Sequence, residues 1–151
     1  MSEQQNVALI QKTLEAFGRG DVQTILDHCT NDCEFYCPGP TAIPFAGTKK
    51  GRVEIQSYFD DLIGTQSGTN LSIDQFVAQA DTVVAIGRYR AKINSTGKPI
   101  DSPVVLTFKM QDGKIARHMV IGDRLRSRRA TPDLQSPHLR IWFGTGNQLQ
   151  P

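Results

Sequence analysis

The order of its hydrophobic patterns limits the fold of this chain more than any other feature. Apolar residues at helical spacing predict a helix over residues 5–18, a short second helix after Asp21 and a third helix before Gly64. Alternating patterns predict strands, which cover residues 33–37, 71–80, 82–93, 103–110 and 115–121. Helices gathered before a run of long antiparallel strands favour an α+β domain and disfavour a parallel, doubly wound sheet.

Capping and turn residues divide these elements. Asp21 is expected to cap the second helix, and Pro38-Gly39-Pro40 is expected to end the first strand before a loop over residues 41–51. The dipeptide Asp112-Gly113 predicts a tight hairpin turn. The third helix is expected to face the core with one apolar set: Val53, Ile55, Tyr58, Phe59, Leu62 and Ile63.

Composition limits the cellular location and the classes of binding partner that are expected. A net charge of +2 argues against nucleic acid and against an acidic membrane surface as partners. No leader sequence and no membrane-spanning run are visible, so a cytoplasmic location is expected. Cys29, Cys33 and Cys37 are expected to be free thiols, because an odd number in one short stretch does not make a disulfide framework. Their spacing matches no common zinc site, and neither a metal nor a cofactor is predicted.

The C-terminal part, residues 124–151, differs from the rest in charge. It carries five arginines against one aspartate, and it contains several prolines. One short basic run does not make a nucleic-acid site in an otherwise mildly acidic body. Trp142 and Phe143 predict that this extension packs on its own domain or on a dimer mate.

Short motifs recur in an order that is typical of one family. They are Gly20-Asp21, Asn31-Asp32 leading to Pro38-Gly39, Pro44-Phe45-Ala46-Gly47-Thr48 ahead of Gly51, Asp81-Thr82-Val83-Val84, Thr96-Gly97-Lys98, Asp112-Gly113-Lys114-Ile115 and Asp123. With this order, residues 1–123 resemble the SnoaL-like, ketosteroid-isomerase-like branch of the nuclear transport factor 2-like superfamily. The remaining residues, 124–151, form an extension beyond the expected domain.

The resemblance implies a cystatin-like cone in which three N-terminal helices pack on a curved, mostly antiparallel sheet around an apolar cavity. It also implies a small apolar molecule as partner and a homodimer that forms through the sheet. Members of the family include isomerases, polyketide cyclases, hydrolases and non-enzymatic binding domains, so the fold alone leaves the activity open.

The catalytic groups of the best-known relatives are not retained. The resemblance places Thr13, Cys37 and Leu106 where ketosteroid isomerases have a tyrosine, a carboxylate base and an acid donor. It places Val120 where epoxide hydrolases of this fold have an aspartate. Neither known route is therefore expected in this chain.

Alternation along the strands predicts a different set of cavity residues. On the last strand His118 and Val120 share one face, which the resemblance turns toward the cavity. The predicted catalytic residues are His118, as a general acid or base, and Cys37 as its possible partner. The predicted ligand-binding residues are Phe35, Tyr36, Tyr58, Leu106, Phe108 and Val120.

Each of these residues also has a plain structural interpretation. His118 can be a satisfied histidine of the cavity wall, Cys37 a buried thiol, and the two tyrosines core aromatics. Arg88 and Arg90 share one strand face, which either binds an anionic substrate group or is a solvated convex face or a dimer interface with a salt bridge. Two functions stay open: an isomerase, cyclase or hydrolase acting through His118 on a small apolar or polyketide-like molecule, and a non-catalytic binding domain.

Overall fold

The structure, a computed structural model, describes residues 2–122 as three helices and one six-stranded sheet. The helices are α1 (Glu3–Gly18), α2 (Val22–Asp27) and α3 (Gly51–Thr65). The strands are β1 (Cys29–Cys37), β2 (Gly47–Lys50), β3 (Gln66–Gln79), β4 (Thr82–Ile93), β5 (Pro99–Gln111) and β6 (Lys114–Gly122). The expected domain boundary at residue 123 and the extension over 124–151 lie outside the described residues.

The strands lie in the order β2-β1-β6-β5-β4-β3. Each neighbouring pair is antiparallel except β1 and β6, which run parallel. The curved sheet packs against α1 and α3. The predicted α+β architecture, with helices on a mostly antiparallel sheet, is confirmed.

Local signals explain where the helices begin. Ser2 caps α1 through a capping box, in which its side chain accepts from the Gln5 amide and the Gln5 side chain accepts from the Ser2 amide. Asp21 caps α2 as predicted, since its carboxylate accepts hydrogen bonds from the amide and the hydroxyl of Thr24. These bonds satisfy amide groups that the first helical turn leaves without partners.

Two expectations about the helix α3 region are wrong. The loop predicted over residues 41–51 contains the short strand β2, which pairs with the end of β1. This strand is polar and only four residues long, so it carries no alternating apolar signal. In α3 itself, Val53 is 86% exposed and Ile63 is 52% exposed, so neither faces the core. Val53 and Ile63 fall outside the stripe of buried residues on α3. That stripe follows helical spacing and consists of Ile55, Tyr58, Phe59 and Leu62.

The register of the sheet gives each face its own cross-strand rows. On the inner face, toward the helices, Phe35 of β1, His118 of β6 and Phe108 of β5 stand side by side. On the outer face, the next row contains Tyr36, Met119 and Thr107 from the same strands. Because paired residues in a sheet point to the same side, this register decides which side chains meet.

Among residues 2–122, no helix is long and apolar enough to cross a membrane.

Candidate functional site

A cavity of about 70 Å³ lies between the helices and the inner face of the sheet. Its wall includes the following predicted residues: Phe35, Tyr58, Leu106, Phe108, His118 and Val120. Whether these side chains bind a ligand stays a prediction, but the fold does bring them around one space.

His118 lies between two aromatic rings in this wall. Its ring stacks on Phe108, with the centroids 4.5 Å apart and the planes at 17°. Phe35 meets the same ring from the other side, edge-on, at a centroid distance of 4.8 Å. The sandwich follows from the register, because β6 lies between β1 and β5 and the three residues are paired across the strands.

One backbone hydrogen bond fixes the orientation of His118. Its Nδ1 lies 3.1 Å from the carbonyl oxygen of Thr107 on β5. A carbonyl oxygen only accepts, so Nδ1 carries a proton and donates it. In the neutral ring the lone pair therefore lies on Nε2, the nitrogen that can accept a proton.

Cys37 is the last residue of β1. Its side chain is buried, but it does not belong to the cavity wall. The residue of β1 that pairs with His118 is Phe35, and Cys37 lies two positions further along the strand, where β1 pairs with β2. The catalytic role of Cys37 as a partner of His118 stays a prediction.

Tyr36 lies on the wrong face for a cavity residue, which corrects the prediction made for it. Its side chain is 41% exposed on the outer face of the sheet. The reason is the strand alternation itself, because its neighbours Phe35 and Cys37 both point inward. Tyr58 does lie in the wall, where its ring packs against Phe59 at 4.9 Å and against Phe35 at 6.1 Å.

Two polar residues of the wall were not among the predicted ligand-binding residues. Tyr89 of β4 lines the cavity and its hydroxyl donates to the Gln66 side chain. Alternation would have found it, since Arg88 and Arg90 point the other way. Thr13 of α1 also lines the cavity, and its hydroxyl contacts Nδ1 of His28 at 2.7 Å. No local pattern predicts that contact, because His28 follows α2 and belongs to a different element.

Arg88 and Arg90 form ion pairs on the outer face rather than a cavity site. Both guanidinium groups lie close to the carboxylate of Asp101 on the adjacent strand β5. The hydrogen bond from Arg88 holds the pKa of that carboxyl below its ordinary value. All three side chains are substantially exposed, so the pairs add little to stability.

A pair of buried thiols lies near the start of β1. The proximity of the two thiols raises the pKa of Cys29 and lowers the pKa of Cys33. The Cys29 thiol donates a hydrogen bond to the Ile25 carbonyl at 3.2 Å. The guanidinium of Arg52 donates to the Cys29 carbonyl at 2.8 Å and favours the Cys33 thiolate by its charge. In the part of the chain that the structure describes, no group of three or more histidines, cysteines or acids is arranged to hold a metal ion.

The sequence matches a family model described as a SnoaL-like domain over residues 10–118. The uncharacterized protein Rv0034 of Mycobacterium tuberculosis (strain H37Rv) is 25% identical over 118 residues. That match covers 78% of this chain and 88% of the mycobacterial protein.

Several solved structures share the fold. A nuclear transport factor 2-like protein of unknown function from Burkholderia pseudomallei K96243 has a TM-score of 0.79 at 22% identity, over 85% of this chain and 97% of its own. TerC, co-crystallised with polyporic acid, has a TM-score of 0.75 at 26% identity, over 82% and 95%. A Jannaschia sp. CCS1 protein, provisionally named a SnoaL-like polyketide cyclase, has a TM-score of 0.72 at 17% identity, over 85% and 92%.

Proposed function

Because the chain belongs to the SnoaL-like domain family, we propose that its cavity binds a small, mainly apolar molecule and that His118 transfers a proton there. The reaction would be of the isomerase, cyclase or hydrolase type. The observation that carries this proposal is the row Phe35, His118, Phe108, which places one oriented imidazole in an apolar wall.

The geometry supports the proposed role of His118 as a general base. Its Nδ1 proton is committed to the Thr107 carbonyl, so Nε2 is the atom that takes a proton from the bound molecule. The resulting imidazolium keeps its bond to that carbonyl and lies face to face with Phe108, whose ring favours a cation. The same nitrogen can then return the proton to another atom, as an isomerisation or a ring closure requires.

One similar protein gives this proposal limited support. TerC, which is 26% identical to this chain, was co-crystallised with polyporic acid. A protein of the same fold was thus crystallised together with an organic molecule, which agrees with ligand binding by this chain.

A second candidate function is a binding domain without catalysis. Among the described residues that line the cavity, none is an aspartate or a glutamate. Acid–base catalysis by histidine commonly uses a carboxylate to orient and stabilise the imidazolium, and this described wall contains none. The lack of a carboxylate in this wall favours the second candidate. Substitution of His118 distinguishes the two functions.

The test is hydrogen–deuterium exchange into small cyclic ketones in heavy water, followed by NMR, since exchange reports proton transfer whatever the later steps are. For His118→Gln we expect the rate to fall at least about 100-fold, the lower end of general acid–base contributions. Ligand affinity should change little, because the side chain stays polar and of similar size. Tyr36→Phe is the matched control, which removes a polar group only from the outer face. Equal exchange rates with both variants would leave the binding domain as the function.

We further propose that a second copy of the chain covers the outer face of the sheet. Apolar side chains continue across β6, β5 and β4 in a register row of Ile121, Val105 and Ile86. Ile121 is 45% exposed and Ile86 is 37% exposed, so this row presents apolar surface that a partner could cover. The adjacent row adds Tyr36 and Met119.

Light scattering during size exclusion measures this association directly. The wild-type chain should have twice its single-chain mass of 16.7 kDa, and Ile121→Asp should have that single-chain mass. Val53→Asp is the control, because Val53 is also exposed and apolar but lies on α3. A wild-type protein with the mass of one chain would contradict the dimer.

A further inference from the structure

Thr13 is a polar residue of the cavity wall that the proposed proton transfer does not use. It lies in α1, and only 4% of its surface is exposed. Its Oγ1 is 2.8 Å from the carbonyl oxygen of Leu9 and 2.7 Å from Nδ1 of His28. The nearby apolar wall includes Leu14, Phe17 and Ile25, from α1 and α2.

These two distances fix where the protons are. A threonine hydroxyl has one proton, and the Leu9 carbonyl can only accept it. If the hydroxyl proton pointed to His28 instead, Oγ1 of Thr13 and the carbonyl oxygen of Leu9 would face each other at 2.8 Å with no proton between them. The hydroxyl therefore donates to Leu9, as threonines in helices commonly do, and the Nδ1–H of His28 donates to the hydroxyl.

The arrangement holds in both charge states of His28. Burial lowers the pKa of His28, so the neutral ring predominates near neutral pH. The neutral ring with its proton on Nδ1 and the charged ring both donate from that atom. Thr13 thus uses its only proton and one lone pair within the protein, and one lone pair is left on Oγ1.

We propose that Thr13, held by His28, selects ligands that carry a hydroxyl or N–H donor at the α1 end of the cavity. This inference rests on the proposed ligand-binding function and adds the hydrogen-bonding polarity of the ligand to it. A carbonyl group would meet a lone pair at this position and is disfavoured. A phenol-type hydroxyl on a flat ring fits best, because several wall residues are aromatic. These residues are Phe17, Phe35, Tyr58, Phe59 and Phe108.

The first experiment titrates three ring compounds of similar size and follows them by ¹⁹F NMR. They are 4-fluorophenol, which donates, 4-fluorobenzaldehyde, which only accepts, and 4-fluorotoluene, which does neither. The wild-type protein should bind the phenol at least about five times more tightly than the other two, as one buried hydrogen bond allows.

Two variants assign that preference to the hydroxyl of Thr13. Thr13→Val keeps the shape and removes the oxygen, so the phenol should bind no better than the toluene while the toluene affinity is unchanged. Thr13→Ser restores the oxygen and should restore most of the preference. A second readout is the ¹⁵N spectrum of the histidine side chains, in which His28 of the wild-type protein should show the Nδ1–H form when neutral.

The outcomes separate this inference from the function on which it rests. If the toluene and the phenol bind equally to the wild-type protein, the cavity is a ligand site but Thr13 does not select a donor. The same conclusion follows if the aldehyde binds best, or if Thr13→Val keeps the phenol preference. If none of the three compounds binds, the cavity is not a ligand site and both proposals fail.

Discussion

The two faces of the sheet are formed by the same strands, yet they differ in burial and in the polar groups that they carry. On the inner face, β1, β6 and β5 contribute Phe35, His118 and Phe108, all of them buried. One position further along, the outer face has Tyr36, Met119 and Thr107 from those strands. The inner face encloses a cavity with a few oriented polar groups, and the outer face combines exposed apolar rows with ion pairs.

The difference shows how position, more than residue type, sets the role of a side chain here. Arg88 and Asp101 satisfy each other at the surface, where water screens the pair. His118 is held by a backbone carbonyl inside an aromatic row, where water cannot take the place of that bond. Substitutions of matched kind should therefore cost much more on the inner face than elsewhere.

The largest effect is expected at Gly87, where β4 lies against the backbone of β3. A Cβ on Gly87 would lie 2.0 Å from the Ser72 carbonyl oxygen and 2.9 Å from the Ile73 Cα, both backbone atoms. Gly87→Ala should lower the free energy of unfolding by about 4 kcal/mol, near the upper end for one substitution, because backbone cannot rotate away. Gly64→Ala in α3, where a Cβ meets nothing within 4 Å, should be neutral or slightly stabilising. Urea unfolding of both variants measures the contrast, and equal stabilities would contradict it.

A smaller effect separates the two faces directly. Leu106 lies on the buried inner face and Ile121 is 45% exposed on the outer face. Leu106→Ala should cost about 3 kcal/mol, as for other large-to-small changes in cores. Ile121→Ala should cost less than about 1 kcal/mol, measured at a protein concentration where the chain is monomeric. Similar losses for the two variants would mean that the outer face is as buried as the inner one.

The smallest effect is expected for the outer ion pairs. Since the pKa of Asp101 is lowered in the folded state, its carboxylate stabilises the fold above its ordinary pKa of 3.8. That contribution disappears as the pH falls through the lowered folded pKa. Asp101→Asn should therefore reduce the melting temperature slightly at pH 7, and the difference from the wild type should shrink below about pH 4.

Asp74→Asn is the matched control for that measurement. It removes the same charge from an exposed residue that takes part in no ion pair within residues 2–122. A difference between Asp101→Asn and the wild type that stays constant with pH would contradict the role given to the ion pairs.

Local signals predicted the elements whose boundaries depend on a few neighbouring residues. The strand over 82–93 has the predicted bounds, and Asp112 and Gly113 both have positive φ angles, as a tight hairpin turn requires. The strand β2 was not predicted, because it exists only through its pairing with β1. Val53 and Ile63 were misplaced because an apolar residue near a buried stripe gives the same signal as one within it.

The candidate site shows the same limit. Alternation grouped His118 and Val120 on one strand face, which the resemblance turned toward the cavity, and both residues line it. Tyr36 was predicted as a ligand-binding residue, although alternation along β1 separates it from Phe35, and it lies on the outer face. It did not predict that Phe35 and Phe108 enclose His118. That neighbourhood requires the register of two strand pairs, one of them parallel and far apart in sequence.

The sequence by itself determined the three helices, the long strands and the family, because these follow from periodicity and from motifs in a fixed order. The tertiary structure alone decided that His118 donates to Thr107 between two aromatic rings, and that His28 holds Thr13 at the cavity wall. These contacts join residues of different elements. Their geometry depends on how the helices and strands pack around one core, which no local pattern encodes.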